Sequence, residues 1–134
     1  MNAMILLLAF DLAAVNSETN LERRADKALD YAAHLISNLR DTYLAGDMNK
    51  LTDMFNQITA SVELCRKSLE ESHKNPRRSP KYFKKAEMRT HEFERRLERF
   101  QNDMGAGDRA MADKTIELVR KVHDSLLNDM MGKK

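Results

Sequence analysis

Leu51-Thr-Asp-Met-Phe55-Asn-Gln-Ile58-Thr-Ala-Ser-Val62-Glu-Leu-Cys65-Arg-Lys-Ser-Leu69 is the stretch from which the architecture follows. Its residues Leu51, Phe55, Ile58, Val62, Cys65 and Leu69 recur at spacings of four, three, four, three and four. That rhythm draws one apolar stripe down an α-helix; a strand would alternate every two residues. The positions between carry mostly Thr, Asp, Asn, Gln, Glu, Arg and Lys, which suit water. A helix of this kind needs other helices to cover its stripe. Cys65 falls on the stripe and reads as a buried structural thiol. As the only cysteine, it forms no internal disulfide and leaves the compartment open.

Upstream, Ala45-Gly46-Asp47 marks a helix stop followed by a new N-cap at Asp47, so this helix spans about Met48 to His73. The helix before it spans about Glu18 to Leu44, with Asn20, Thr19 or Ser17 as its cap. Leu21, Ala25, Ala28, Ala32, Leu35 and Leu39 form its stripe, widened by Leu29, Ile36 and Tyr43. The alanines predict close approach of a neighbouring helix.

Downstream lies Lys74-Asn-Pro-Arg-Arg-Ser-Pro-Lys-Tyr-Phe-Lys-Lys-Ala86, which contains both prolines of the chain. Ser79 is placed to cap a third helix, with Pro80 at the first helical position, where a missing N–H costs nothing. The third stripe runs through Phe83, Ala86, Thr90, Phe93, Leu97, Phe100 and Met104. Gly105-Ala-Gly107-Asp108 ends that helix and caps a fourth, about Arg109 to Met131. Its stripe is Ala112, Thr115, Val119, Val122 and Leu126, flanked by Ile116, Leu118 and Met130. Gly132 closes it before Lys133-Lys134, cations well placed for a helix C-terminus.

Four such segments in 134 residues suit one domain with one core. The shared 3.5-residue repeat and the short connections predict an all-α, antiparallel up-down-up-down four-helix bundle with coiled-coil-like packing. Each helix of ~25 residues would be about 38 Å long.

Residues 3–10, Ala-Met-Ile-Leu-Leu-Leu-Ala-Phe, are apolar on every side and too short to span a bilayer. With Val15-Asn-Ser17 they resemble a secretory signal peptide cleaved before Glu18. Asp11 and the lack of a preceding Lys or Arg depart from that pattern. The expectation is a signal peptide at 1–17, a helical domain at 18–134, and a periplasmic or secreted location. The alternative folds the apolar run into the core of a cytoplasmic protein.

The chemistry-bearing residues do not form a catalytic set. A di-iron bundle needs two Glu-x-x-His pairs, and only Glu70-Glu-Ser-His73 occurs; Tyr31, Met88 and Arg120 stand three residues before His34, His91 and His123. His91-Glu-Phe-Glu-Arg95 begins like a zinc-protease helix but has Arg95 in place of the second histidine. His123-Asp124 reads as a helix-surface pair, and none of the four histidines lies on a stripe. Gly105-Ala-Gly107 lacks the strand and third glycine of a phosphate loop. No catalytic residue, metal ligand or cofactor is expected.

Charge is the remaining feature. Lys74 to Arg89 holds seven basic residues against the single acid Glu87, a balance of +6 in a chain of net +2, which leaves −4 elsewhere. Lys74, Arg77, Arg78, Lys81, Lys84 and Lys85 are therefore the candidate anion-binding residues, with Tyr82 as a stacking surface. Cations in the first turn of a helix oppose its dipole by roughly 0.3–1 kcal/mol, which suggests a role beyond folding. Arg89, Arg95, Arg96 and Arg99 alternate with Glu92, Glu94 and Glu98, a pattern that predicts ion pairs within one solvated helix face. The functional expectation is a non-enzymatic exported bundle acting through surface contacts with an anionic polymer, a lipid surface or an acidic protein. The alternatives are a cytoplasmic nucleic-acid-binding helical protein and a metal- or cofactor-binding four-helix bundle.

Overall fold

The computed structural model describes residues 12–132. Residues 12–16 are helical (α1), followed by four long helices: α2 (Leu21–Leu44), α3 (Met48–Glu71), α4 (Lys81–Asp103) and α5 (Ala110–Met131). No strand occurs among the described residues. The all-α bundle read from the four stripes is the fold. Residues 1–11 of the proposed signal peptide lie outside the described residues. Within the rest of that segment, Val15 is buried and Leu12 is partly covered against the core.

The helix ends follow local chemistry. Asn20 Oδ1 accepts from the Arg23 N–H at 2.9 Å, and Asp47 Oδ1 accepts from the Lys50 N–H at 3.1 Å, so each satisfies one orphan donor of a first turn. Gly46 and Gly132 close α2 and α5 with φ of 75° and 68°, a region where a Cβ is strained. Three expected boundaries move. α3 stops at Glu71, and His73 takes a positive φ of 55°. Ser79 does not cap α4, which starts at Lys81 without a side-chain cap. Asn75 organises that connection instead, its Oδ1 accepting from the N–H groups of Arg77 (2.8 Å) and Arg78 (3.3 Å), an Asx turn. Asp108 also fails to cap α5 with its side chain, because that carboxylate accepts from Tyr43 on α2.

The helices pack as two hairpins set side by side. α2 lies along α3 and α4 along α5; between the hairpins, α2 faces α4 and α3 faces α5. The consecutive helices α3 and α4 barely touch and occupy a diagonal. Direction follows from the polar contacts. Lys85–Asp26, Arg89–Asp30 and Arg96–Ser37 all join residues 59 apart in sequence, and a constant separation means that α2 and α4 run parallel. Chain direction still alternates from helix to helix, as expected, and the diagonal placement of α3 and α4 brings the parallel helices α2 and α4 side by side. The connection lengths explain this. Residues 45–47 leave α2 and α3 no choice but adjacency. Residues 72–80 reach up to ~30 Å when extended, ample for the ~14 Å diagonal implied by an interaxial distance near 10 Å.

The core contains the predicted stripes. Leu35, Leu39, Leu51, Ile58, Val62, Leu97 and Val119 have no exposed surface, and neither do Ala28, Ala32 and Ala112, whose small side chains permit close helix approach. The buried polar residues are all bonded, as buried polar groups must be. Thr42, Ser61 and Thr90 return their hydroxyls to carbonyls of the preceding turn, at 2.8–3.0 Å. Thr115 on α5 bonds the Phe55 carbonyl at 3.2 Å and the Thr59 hydroxyl at 3.0 Å on α3. Ser68 accepts from Arg24 Nε at 2.7 Å.

Cys65 is fully buried, and burial pushes its thiol up to about 12. Since the thiolate is the nucleophile, the native protein at pH 8 should resist a maleimide that labels the urea-unfolded chain rapidly. Comparable labelling of both states would contradict the burial.

Candidate anion-binding surface

All six cations singled out from the sequence are exposed, and they cluster around the α3–α4 connection and the first turn of α4. Their surroundings differ. Lys85 pairs with Asp26 at 2.9 Å, Lys74 with Glu22 at 3.7 Å, and Lys84 with Glu87 at 3.6 Å. Arg77 lies over the end of α5: a Cβ on Gly132 would stand 2.9 Å from its Nη1. A guanidinium there meets the negative end of the helix dipole. Lys81 stands 5.4 Å from the Tyr82 ring centroid, within cation–π range. Among the described residues, no carboxylate pairs with Arg78 or Lys81. The hinge cations thus divide into a tethered group and a free pair.

A second set of free cations lies further along α4, where the alternation of charges predicted ion pairs. The expected pairing within α4 does not form, because Glu94 and Glu98 both turn to Arg120 of α5, each at 2.7 Å. These bonds raise the Arg120 guanidinium further above its ordinary range. Arg89 is drawn the other way, to Asp30 at 2.7 Å and Asp26 at 3.8 Å on α2. Arg95 and Arg99 are left without a carboxylate partner among the described residues, and Arg96 reaches only the Ser37 hydroxyl, at 2.9 Å. Arg96 and Arg99 line a groove together with Ser37 and Arg40. Lys81, Lys84, Met88, His91, Arg95 and Arg99 follow helical spacing along one exposed face of α4, about 27 Å in length. The clue in the sequence was the spacing of Glu94 and Glu98, one turn apart on a line that faces α5.

His123 also departs from expectation. It is buried rather than on the surface, with Nε2 2.8 Å from Glu87 Oε2 and Nδ1 3.4 Å from Asp124 Oδ1. Its ring centroid lies 5.3 Å from that of His91. Glu70 and His73 are both exposed at the end of α3. No helix among the described residues is long and apolar enough to cross a membrane.

The chain matches no protein-family model, no curated protein and no solved structure.

Proposed function

We propose that this protein is a non-enzymatic helical bundle that binds a linear anionic polymer through the α3–α4 connection and the exposed face of α4. The observation that carries the reading is the pairing of Glu94 and Glu98 with Arg120, which leaves Arg95, Arg96 and Arg99 without carboxylates beyond the free Arg78 and Lys81. Unpaired cations retain their full attraction for phosphate, sulfate or carboxylate, whereas tethered ones must first give up a partner. The face is long and narrow, and Met88 is its one exposed large hydrophobic residue. A membrane surface would be met by several apolar side chains; a linear polyanion needs none.

Heparin binding tests this. The double variants Arg77→Glu/Arg78→Glu and Arg95→Glu/Arg99→Glu should keep full helicity and each elute at markedly lower salt than wild type. The slope of log affinity against log salt should fall by about one for each anionic group no longer neutralised. Lys114→Glu/Lys121→Glu makes the same charge change at exposed positions of α5 and should leave binding nearly intact. Equal losses in all three variants would reduce the effect to net charge, and tight binding to anionic vesicles but not heparin would transfer the reading to a lipid surface.

The compartment decides which polyanion is available. The signal-like stretch at 3–10 supports export and an envelope or extracellular polymer. The burial of Val15 supports retention of the segment in a cytoplasmic protein, with nucleic acid as the polymer. Mass analysis of the N-terminus of the protein from its native host separates the two: a start at Glu18 supports export, and a start at Met1 opposes it.

A further inference from the structure

We infer that His91, Glu94 and His123 form a site for one divalent late transition-metal ion, Zn²⁺ foremost, bridging the α4–α5 hairpin. One ligand atom from each of the three lies within 4.8 Å of the other two. Zinc bonded at 2.0–2.1 Å in a tetrahedron holds its ligand atoms roughly 3.4 Å apart. The remaining contraction, up to about 1.4 Å, falls to His91, which is exposed, and Glu94, which is half-buried, while the buried His123 serves as the anchor.

The donor set defines the metal. Two imidazoles with one carboxylate suit Zn²⁺, Cu²⁺ or Ni²⁺ and do not suit Ca²⁺ or Mg²⁺, which favour oxygen. The absent second histidine of His91-Glu-Phe-Glu-Arg95 has a spatial substitute, since His123 supplies an imidazole from α5.

The surroundings resemble a second coordination shell. Glu87 Oε2 lies 2.8 Å from His123 Nε2 and Asp124 Oδ1 lies 3.4 Å from Nδ1; with Nε2–H donating to Glu87, Nδ1 is the nitrogen open to the ion, which displaces the longer Asp124 contact. Arg120 occupies only Oε2 of Glu94, at 2.7 Å, so Oε1 is available. His91 has no hydrogen-bond or ion-pair partner among the described residues, and its ring packs against that of His123.

Titration calorimetry of the full chain with Zn²⁺, with Co²⁺ absorption as a spectroscopic report, tests the site. The expected result is one equivalent bound, visible Co²⁺ bands of low-symmetry nitrogen–oxygen ligation, and a rise in melting temperature with Zn²⁺ but not with Ca²⁺. His91→Ala, chosen because its exposure spares the fold, should weaken Zn²⁺ binding at least tenfold and abolish the thermal shift. Glu87→Gln tests the positioning role and should weaken binding roughly 10–100-fold. His34→Ala and His73→Ala should change neither readout. An absence of stoichiometric uptake, or uptake undiminished in His91→Ala, overturns the site and leaves Glu87–His123 as a packing contact.

Discussion

Phe93→Ala is expected to lower the free energy of unfolding by about 3–5 kcal/mol, the usual cost of removing a fully buried phenylalanine. Phe93 is 1% exposed and the largest of the fully buried side chains. It lies near the middle of α4, the helix that faces both α2 and α5. The Arg89 guanidinium, 5.7 Å from the Phe93 ring centroid, also loses its aromatic platform. For a chain of this length the loss corresponds to a fall in melting temperature on the order of 10–20 °C. Urea unfolding should show a lower midpoint with an unchanged slope, the mark of lost stability without a change in the unfolded state. A loss below 1 kcal/mol would remove Phe93 from the core and with it the placement of α4.

Tyr43→Phe carries the second large effect, about 1.5–3 kcal/mol. The Tyr43 hydroxyl donates to Asp108 Oδ2 at 2.8 Å and accepts from the Gly105 N–H at 2.7 Å. It therefore ties the end of α2 to the turn between α4 and α5, joining the two hairpins at one end. A hydrogen bond to a charged group contributes roughly 1.5–3 kcal/mol, and a donor left without a partner adds its own cost. The substitution keeps the ring and its edge-to-face packing on Phe100, at 5.8 Å between centroids, so the hydroxyl alone is tested. Hydrogen exchange should locate the change: the Gly105 amide should exchange faster, while amides in the middle of α3 should follow only the global loss. An unchanged Gly105 amide would contradict this tie between the hairpins.

The Tyr43 substitution bears directly on the diagonal arrangement, since it removes an interaction made at the junction of the hairpins. Gln101 and Arg109 complete that junction from within the second hairpin. Gln101 donates to the Arg109 carbonyl at 2.9 Å, and Arg109 Nε donates to the Met104 carbonyl at 3.1 Å. The Gly105–Asp108 turn is thus shaped by tertiary partners, and this is why Asp108 did not serve as the cap that its position suggested.

The stripes of Leu51 to Leu69 and of the other three helices were legible because helical period and burial are local consequences of residue order. The caps at Asn20 and Asp47, the positive φ of Gly46 and Gly132, and the buried state of Cys65 follow from the same local chemistry. The hinge cations Lys74, Arg77, Arg78, Lys81, Lys84 and Lys85 were legible as a cluster, since charge density along the chain is itself a local quantity. Which of them are free was not. Nothing in the order of residues says that Asp26 will hold Lys85, that Arg77 will lie over Gly132, or that Arg120 will draw Glu94 and Glu98 away from Arg95 and Arg99. A long charged side chain chooses among partners by distance, and those distances come from how the hairpins dock. The same holds for His123: one position beyond Val122 on the stripe, it is turned towards α4 by the packing of α5, and only there does it meet Glu87 and His91. Residue order alone therefore determined the helices, their buried faces and the charge of the hinge. Tertiary structure decided the parallel pairing of α2 with α4, the division of the cations into held and free, and the meeting of two histidines, because each depends on contacts between residues tens of positions apart.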